Sequence, residues 1–209
     1  MKREQIIAQN LLQIKAIKLS PSNYFTWASG WNSPIYCDNR KTLSFPEVRK
    51  EITKGFVEVV KEKYPNVEVI AGVATGAIAL GVLVAEELGL PFIYIRSAAK
   101  GHGLTNLVEG HVEKGQKVVV IEDLISTGGS SLKAVEALRD MECDVLGMAA
   151  IFTYGFKAAE ENFEKANVEV TTLSNYNAML ECALEQDYIA NSELETLKEW
   201  RLSPETWKK

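Results

Sequence analysis

From about residue 67 the chain alternates between apolar, β-rich runs and amphipathic helical stretches, and this alternation limits the possible folds more than any other feature. VEVIAGVA (67–74), PFIYIR (91–96), KVVVIE (117–122), DVLGMAAIF (144–152) and VEVTTL (168–173) read as strands. AIALGVLVAEEL (77–88), SSLKAVEALRD (130–140) and a stretch at about 157–166 read as the helices between them. Gly89 and Pro91 stop the first helix, and Leu132, Val135 and Leu138 share one face of the second. Strands this continuously apolar are covered on both faces, as parallel strands joined by helical crossovers are. The expected fold class is α/β, a mostly parallel central sheet flanked by helices. Ligands in such sheets bind beyond the carboxyl ends of the strands.

The flanks complete one domain over residues 1–209. About 1–65 supplies N-terminal helices and a cap, about 66–174 the α/β core, and about 175–209 C-terminal helices. YFTWASGWNSPIYCD (24–38) is aromatic and rich in Gly and Ser. It reads as turns and short strands forming a small N-terminal cap (hood) over the open sheet edge. A helix from about Pro46 to Tyr64 follows. Residues 97–116, SAAKGHGLTNLVEGHVEKGQ, break the rhythm with four glycines and both histidines. A connection of that length inside a compact α/β domain reads as a functional lid rather than a plain solvent hairpin.

Composition removes several classes. Lys and Arg total 23 against 28 Asp and Glu, a net charge of −5, so no basic excess is available to track nucleic-acid phosphates. Cys37, Cys143 and Cys182 form no CxxC pair, which suits buried thiols in a reducing compartment. The first twenty residues lack the apolar centre of a signal peptide. The longest apolar stretch, AIALGVLVA (77–85), is far short of the ~20 residues a membrane span needs. A cytoplasmic protein with neither nucleic acid nor membrane as partner is expected.

The chemistry concentrates in VVVIEDLISTGGSS (118–131). The run goes from strand to loop to helix N-terminus, where unpaired N–H groups and the helix dipole favour an anion. Gly128 and Gly129 allow a tight turn and close approach, and Ser126, Thr127, Ser130 and Ser131 add hydroxyl donors. A phosphate monoester suits this nest; the plainer alternative is that Ser130 or Ser131 caps the helix. The loop is neither a Walker A sequence nor GxGxxG. Glu122 and Asp123 stand just before it and would repel a phosphate, so they face another part of the ligand. Vicinal sugar hydroxyls are natural partners for a carboxylate. Direct Mg²⁺ coordination by the two acids is the competing reading, and a solvated turn fits poorly after VVVI. Phosphate beside a diol describes a ribose 5-phosphate.

VVVIEDLISTGGSS resembles the phosphoribosyl-pyrophosphate (PRPP) motif of the type I phosphoribosyltransferases. YFTWASGWNSPIYCD, YIRSAAKGHG (94–103), EGHVEKGQKVVVIEDLISTGGSS (109–131) and IFTYGF (151–156) are similar, in order, to the branch that uses orotate. The resemblance implies transfer of phosphoribosyl from PRPP to orotate, with Mg²⁺ carried mainly by PRPP and pyrophosphate. It implies that Glu122 and Asp123 take the ribose hydroxyls. Leu124, Ile125, Ser126, Thr127, Gly128, Gly129 and Ser130 would cradle the 5-phosphate, with Ser126 also touching orotate. It implies that Arg96, Lys100 and His102 meet the pyrophosphate from the neighbouring subunit of a homodimer, with Lys100, His102 and Asp123 catalytic. VATGAI (73–78) would back the pyrophosphate, while His111 reads as ordinary surface. The chain departs from the pattern at Ala28, Asn32 and Ser97, where relatives carry basic residues. Two rivals are a phosphoribosyltransferase for another base and a PRPP-sensing regulator. A regulator would need a nucleic-acid-binding module, for which residues 1–20 are too short.

Overall fold

The computed structural model describes residues 1–98 and 107–208. Helix α1 (Arg3–Gln13) leads into β1 (Ile17–Leu19). The hood follows as β2 (Phe25–Thr26), β3 (Asn32–Ser33) and β4 (Ile35–Cys37), then a 3₁₀ turn at Asn39–Ser44 and helix α2 (Pro46–Lys63). The core is β5 (Val69–Val73), α3 (Ile78–Leu88), β6 (Phe92–Ile95), β7 (Val108–Glu109), β8 (Lys117–Ile125), α4 (Gly129–Asp140), β9 (Asp144–Thr153), α5 (Lys157–Lys165) and β10 (Val170–Asn175). Helices α6 (Tyr176–Glu185) and α7 (Asn191–Leu202) end the chain.

The six-stranded sheet runs in the order β10-β9-β8-β5-β6-β7. All neighbours are parallel except the β6–β7 pair, so the expected α/β architecture is the one observed. Strand β8 shows why its apolar run is unbroken. Val119 and Ile121 face the layer holding α1, α2, α3 and α6, while Val118 and Val120 face α4 and α5. All four are fully buried. Each such side chain contributes about 1.5–3 kcal/mol of burial, which fixes this strand at the centre.

The sequence order of the core strands reverses between β5 and β8, creating a crevice at their carboxyl ends. The structure refines or departs from the sequence reading at four points. Strand β8 runs past the two acids to Ile125, because Leu124 and Ile125 continue pairing with Phe152 and Thr153 of β9. Residues 97–116 are not all loop: Val108 and Glu109 return beside Ile95 and Tyr94 as β7. The C-terminal helical stretch is two helices, the first capped by the Asn175 side chain accepting from the Ala178 N–H. The hood sits over the carboxyl ends of β8 and β9 rather than along a lateral sheet edge. The Trp27 ring packs at a tilt 5.1 Å from Tyr154 just beyond β9, and Asn39 Nδ2 donates to the Asp123 carbonyl at 2.6 Å. Aromatic packing draws it there, since its two-residue strands have no core of their own.

Candidate active site

Strand alternation turns the adjacent acids to opposite sides of the sheet. Glu122 points to the α4 layer, where its Oε2 accepts from Ser131 Oγ at 2.7 Å and its Oε1 from the Asp123 N–H at 2.9 Å. Asp123 points the other way, into the crevice against the turn after β5. A Cβ at Gly76 would land on the Asp123 carboxylate, so only glycine lets that turn close over the acid. The expected electrostatic tension is present. Burial, then the Asp123 charge, raises the Glu122 carboxyl to about 8. Burial also raises Asp123, against the pull of its hydrogen bonds and of the Arg40 guanidinium. Burial and mutual repulsion both favour a proton on the pair.

Beyond Ile125 the chain turns through Ser126 and Thr127 into α4. Gly128 adopts φ +82°, and a Cβ there would meet Phe163 at 2.7 Å. Asn162 Nδ2 from α5 donates to the Thr127 carbonyl at 3.0 Å and anchors the turn. No side chain caps α4: Ser131 is committed to Glu122, and Ser130 lies exposed on the first turn. The alternative of a serine cap is thus not what the fold adopts, and the helix opens on the crevice with its N–H groups and dipole. Of the residues expected to cradle a phosphate, Ser126, Thr127, Gly128, Gly129 and Ser130 form the turn. Ile125 is buried in β8, and Leu124 lines the recess described next.

Beside the turn, a cavity of about 240 Å³ opens between hood and sheet, lined by Thr26, Trp27, Ala28, Tyr36, Cys37, Leu124, Ser126 and Tyr154. Behind its Trp27 and Tyr154 lies a cluster of rings. Trp200 lies 5.6 Å from Trp27, 5.7 Å from Tyr154 and 5.3 Å from Phe156. The lining is flat, largely apolar and edged with hydroxyls, and it adjoins the phosphate-type turn through Ser126. Burial pushes the Cys37 thiol well up, so it is a neutral lining group.

Arg96 stands just past β6, with Nη1 3.4 Å from Glu109 Oε1, and shares a second recess with Ser97, Ser130 and Lys133. Lys100 and His102 lie outside the described residues. His111 is at the surface, 3.6 Å from Glu113. Among the described residues no cluster of three His, Cys, Asp or Glu side chains is arranged to hold a metal. Sequence reasoning missed Asn39, Asn162 and the ring cluster, and it did not assign Ser131 to Glu122 or Gly76 to Asp123. Asn39 is fully buried, which would have marked it, but its bond to residue 123 spans the chain and leaves no local pattern.

A crevice-facing carboxylate, a helix N-terminus without a side-chain cap and an aromatic recess thus lie together at one switch point. The chain belongs to the phosphoribosyl transferase domain family, whose model matches residues 43–186. Within it, the chain belongs to the orotate phosphoribosyltransferases: the enzyme of that name from Porphyromonas gingivalis is 60% identical over 203 residues, covering 97% of each chain. The crystal structure of orotate phosphoribosyltransferase from Aeropyrum pernix matches with a TM-score of 0.77 and 27% identity, covering 88% of this chain and 99% of that one. The Leishmania donovani UMP synthase structure shares the fold, with a TM-score of 0.80 at 22% identity; the match covers 95% of this chain and 42% of that one.

Proposed function

We propose that the crevice between β5 and β8 transfers the 5-phosphoribosyl group of PRPP to orotate, giving orotidine 5-monophosphate and pyrophosphate in pyrimidine biosynthesis. The observation that carries this reading is the placing of Asp123, the uncapped α4 turn and the aromatic recess side by side, with Ser126 common to the last two. That sequence of surfaces matches sugar hydroxyls, 5-phosphate and a planar base.

In the reaction, the anomeric C–O bond to pyrophosphate breaks, and the orotate ring nitrogen bonds to the same carbon from the opposite face. Asp123 accepts from a ribose hydroxyl and adds negative field beside the developing oxocarbenium carbon. Glu122, turned to the α4 layer and bonded to Ser131, does not reach the hydroxyl edge itself and acts there only by holding the Asp123 N–H. Ser126, Thr127, Gly128, Gly129 and Ser130 receive the phosphate on backbone and hydroxyl donors, with Leu124 and Ile125 fixing their approach. Arg96, Lys100 and His102 balance the charge of the leaving pyrophosphate. Orotate is already an anion with a nucleophilic nitrogen, so no strong base is needed.

Mg²⁺ fits this chemistry as a ligand-borne ion. The described residues offer one crevice-facing carboxylate and no cage, the donor set of an ion held mainly by phosphate oxygens. When bound, it neutralises the departing pyrophosphate. The working form is a homodimer with sites shared between subunits. Among the described residues no helix is long and apolar enough to cross a membrane.

The test is a panel of acceptor bases offered with PRPP and Mg²⁺. Orotate alone is expected to be consumed, and turnover of uracil or a purine in its place would overturn the assignment.

A further inference from the structure

We infer that the chain's end, residues 203–208, clamps the hood in place and thereby sets how tightly the recess holds orotate; this rests on the reading of that recess as the orotate site. After α7 the chain turns, with the Thr206 and Trp207 N–H groups donating to the Ser203 carbonyl, and runs back against the hood. The Trp207 ring meets Tyr24 edge-on at 5.5 Å. The Lys208 ammonium lies 4.6 Å over the Trp207 ring and 5.3 Å over Tyr24. The Lys208 carbonyl accepts from Asn32 Nδ2 at 2.7 Å, and Lys208 Nζ reaches the Pro21 carbonyl at 3.5 Å. From the preceding helix, Trp200 Nε1 donates to the Asn32 carbonyl at 3.1 Å.

These contacts grip the hood at Pro21, Tyr24 and Asn32, before and after Thr26, Trp27 and Ala28 of the recess wall. The hood depends on them, because a two-stranded hairpin is marginal by itself. Asn32 pairs with Thr26 across β2 and β3, and the Trp27 N–H donates to the Trp31 carbonyl, so the grip on Asn32 passes to Trp27 and Ala28 at the cavity wall. Asn32 also gains a purpose. Its side-chain amide donates to the chain's own tail at the Lys208 carbonyl. Trp207 and Lys208 are positioning residues that act through Tyr24 and Asn32.

The experiment compares wild type, Trp207→Ala and Trp207→Phe by hydrogen exchange of residues 24–33 and by steady-state kinetics. In Trp207→Ala the hood amides should exchange faster. The KM for orotate should rise about tenfold, as expected for losing a ring pair and a cation–π contact. The KM for PRPP and kcat should stay within about twofold of wild type, and Trp207→Phe should restore most of the orotate KM. Unchanged hood exchange would overturn the clamp, as would an equal loss of both substrates' KM and of kcat that Phe does not rescue. If wild type consumed no orotate, the functional reading would fail, while the exchange result would still decide the clamp.

Discussion

Asp123 and Glu122 are neighbours in sequence, yet the fold gives them different tasks. Asp123 faces the crevice under Gly76, while Glu122 is locked to Ser131 with its carboxyl raised to about 8 by burial and by its neighbour. A carboxyl raised in the folded state binds a proton that the unfolded chain releases. Stability is therefore lost as pH rises from the ordinary carboxylate range towards about 8. Glu122→Gln keeps a partner for Ser131 and for the Asp123 N–H but carries no charge. Its melting temperature should fall less than that of wild type between pH 5 and pH 8, ending higher at pH 8 by about 2–4 °C for each ~1 kcal/mol of strain removed. Thermal melts across that range check this; parallel pH profiles would contradict it. The sequence showed that the acids were costly. It did not show that they point apart, because that depends on β8 pairing with β9 as far as Ile125.

At the scale of elements, the turn from β8 into α4 is where local sequence and tertiary packing agree most closely. The glycines predicted a tight approach, and Gly128 takes a left-handed conformation against the ring of Phe163. Gly128→Ala adds both backbone strain and a clash with a buried ring, so it should lower stability by about 1–3 kcal/mol. If the turn receives the 5-phosphate as proposed, the substitution should also raise the KM for PRPP more than that for orotate. Urea unfolding and steady-state kinetics measure the two effects. The core strands and helices were legible because their periodicity is local. Strand β7 was not, because two residues carry no period, and its place comes from pairing with Tyr94 and Ile95. The seat of the hood was also hidden. It depends on Trp27, Tyr154, Phe156 and Trp200 meeting across more than 170 residues of chain, a contact no local pattern encodes.

For the whole molecule, the crevice is composed from three distant parts: the β5 and β8 ends, the hood, and the tail behind α7. PRPP-type chemistry could be read from the 118–131 run alone, since it packs strand, acids and anion nest into one stretch. The base recess could not, since its walls come from residues 26–37, 124–126 and 154. If sites are shared between subunits, equal amounts of Arg96→Ala and Asp123→Asn chains should regain about a quarter of wild-type activity on random mixing, one intact site in each mixed dimer. Absence of recovery in dimers shown to exchange would count against sharing. The central claim is tested most directly by adding PRPP and Mg²⁺ to wild type and to folded Asp123→Asn protein and following orotate absorbance. Wild type should consume one orotate for each pyrophosphate released, with Asp123→Asn slower by about 10²-fold or more. No orotate loss with wild type, or equal rates for both proteins, would contradict the account.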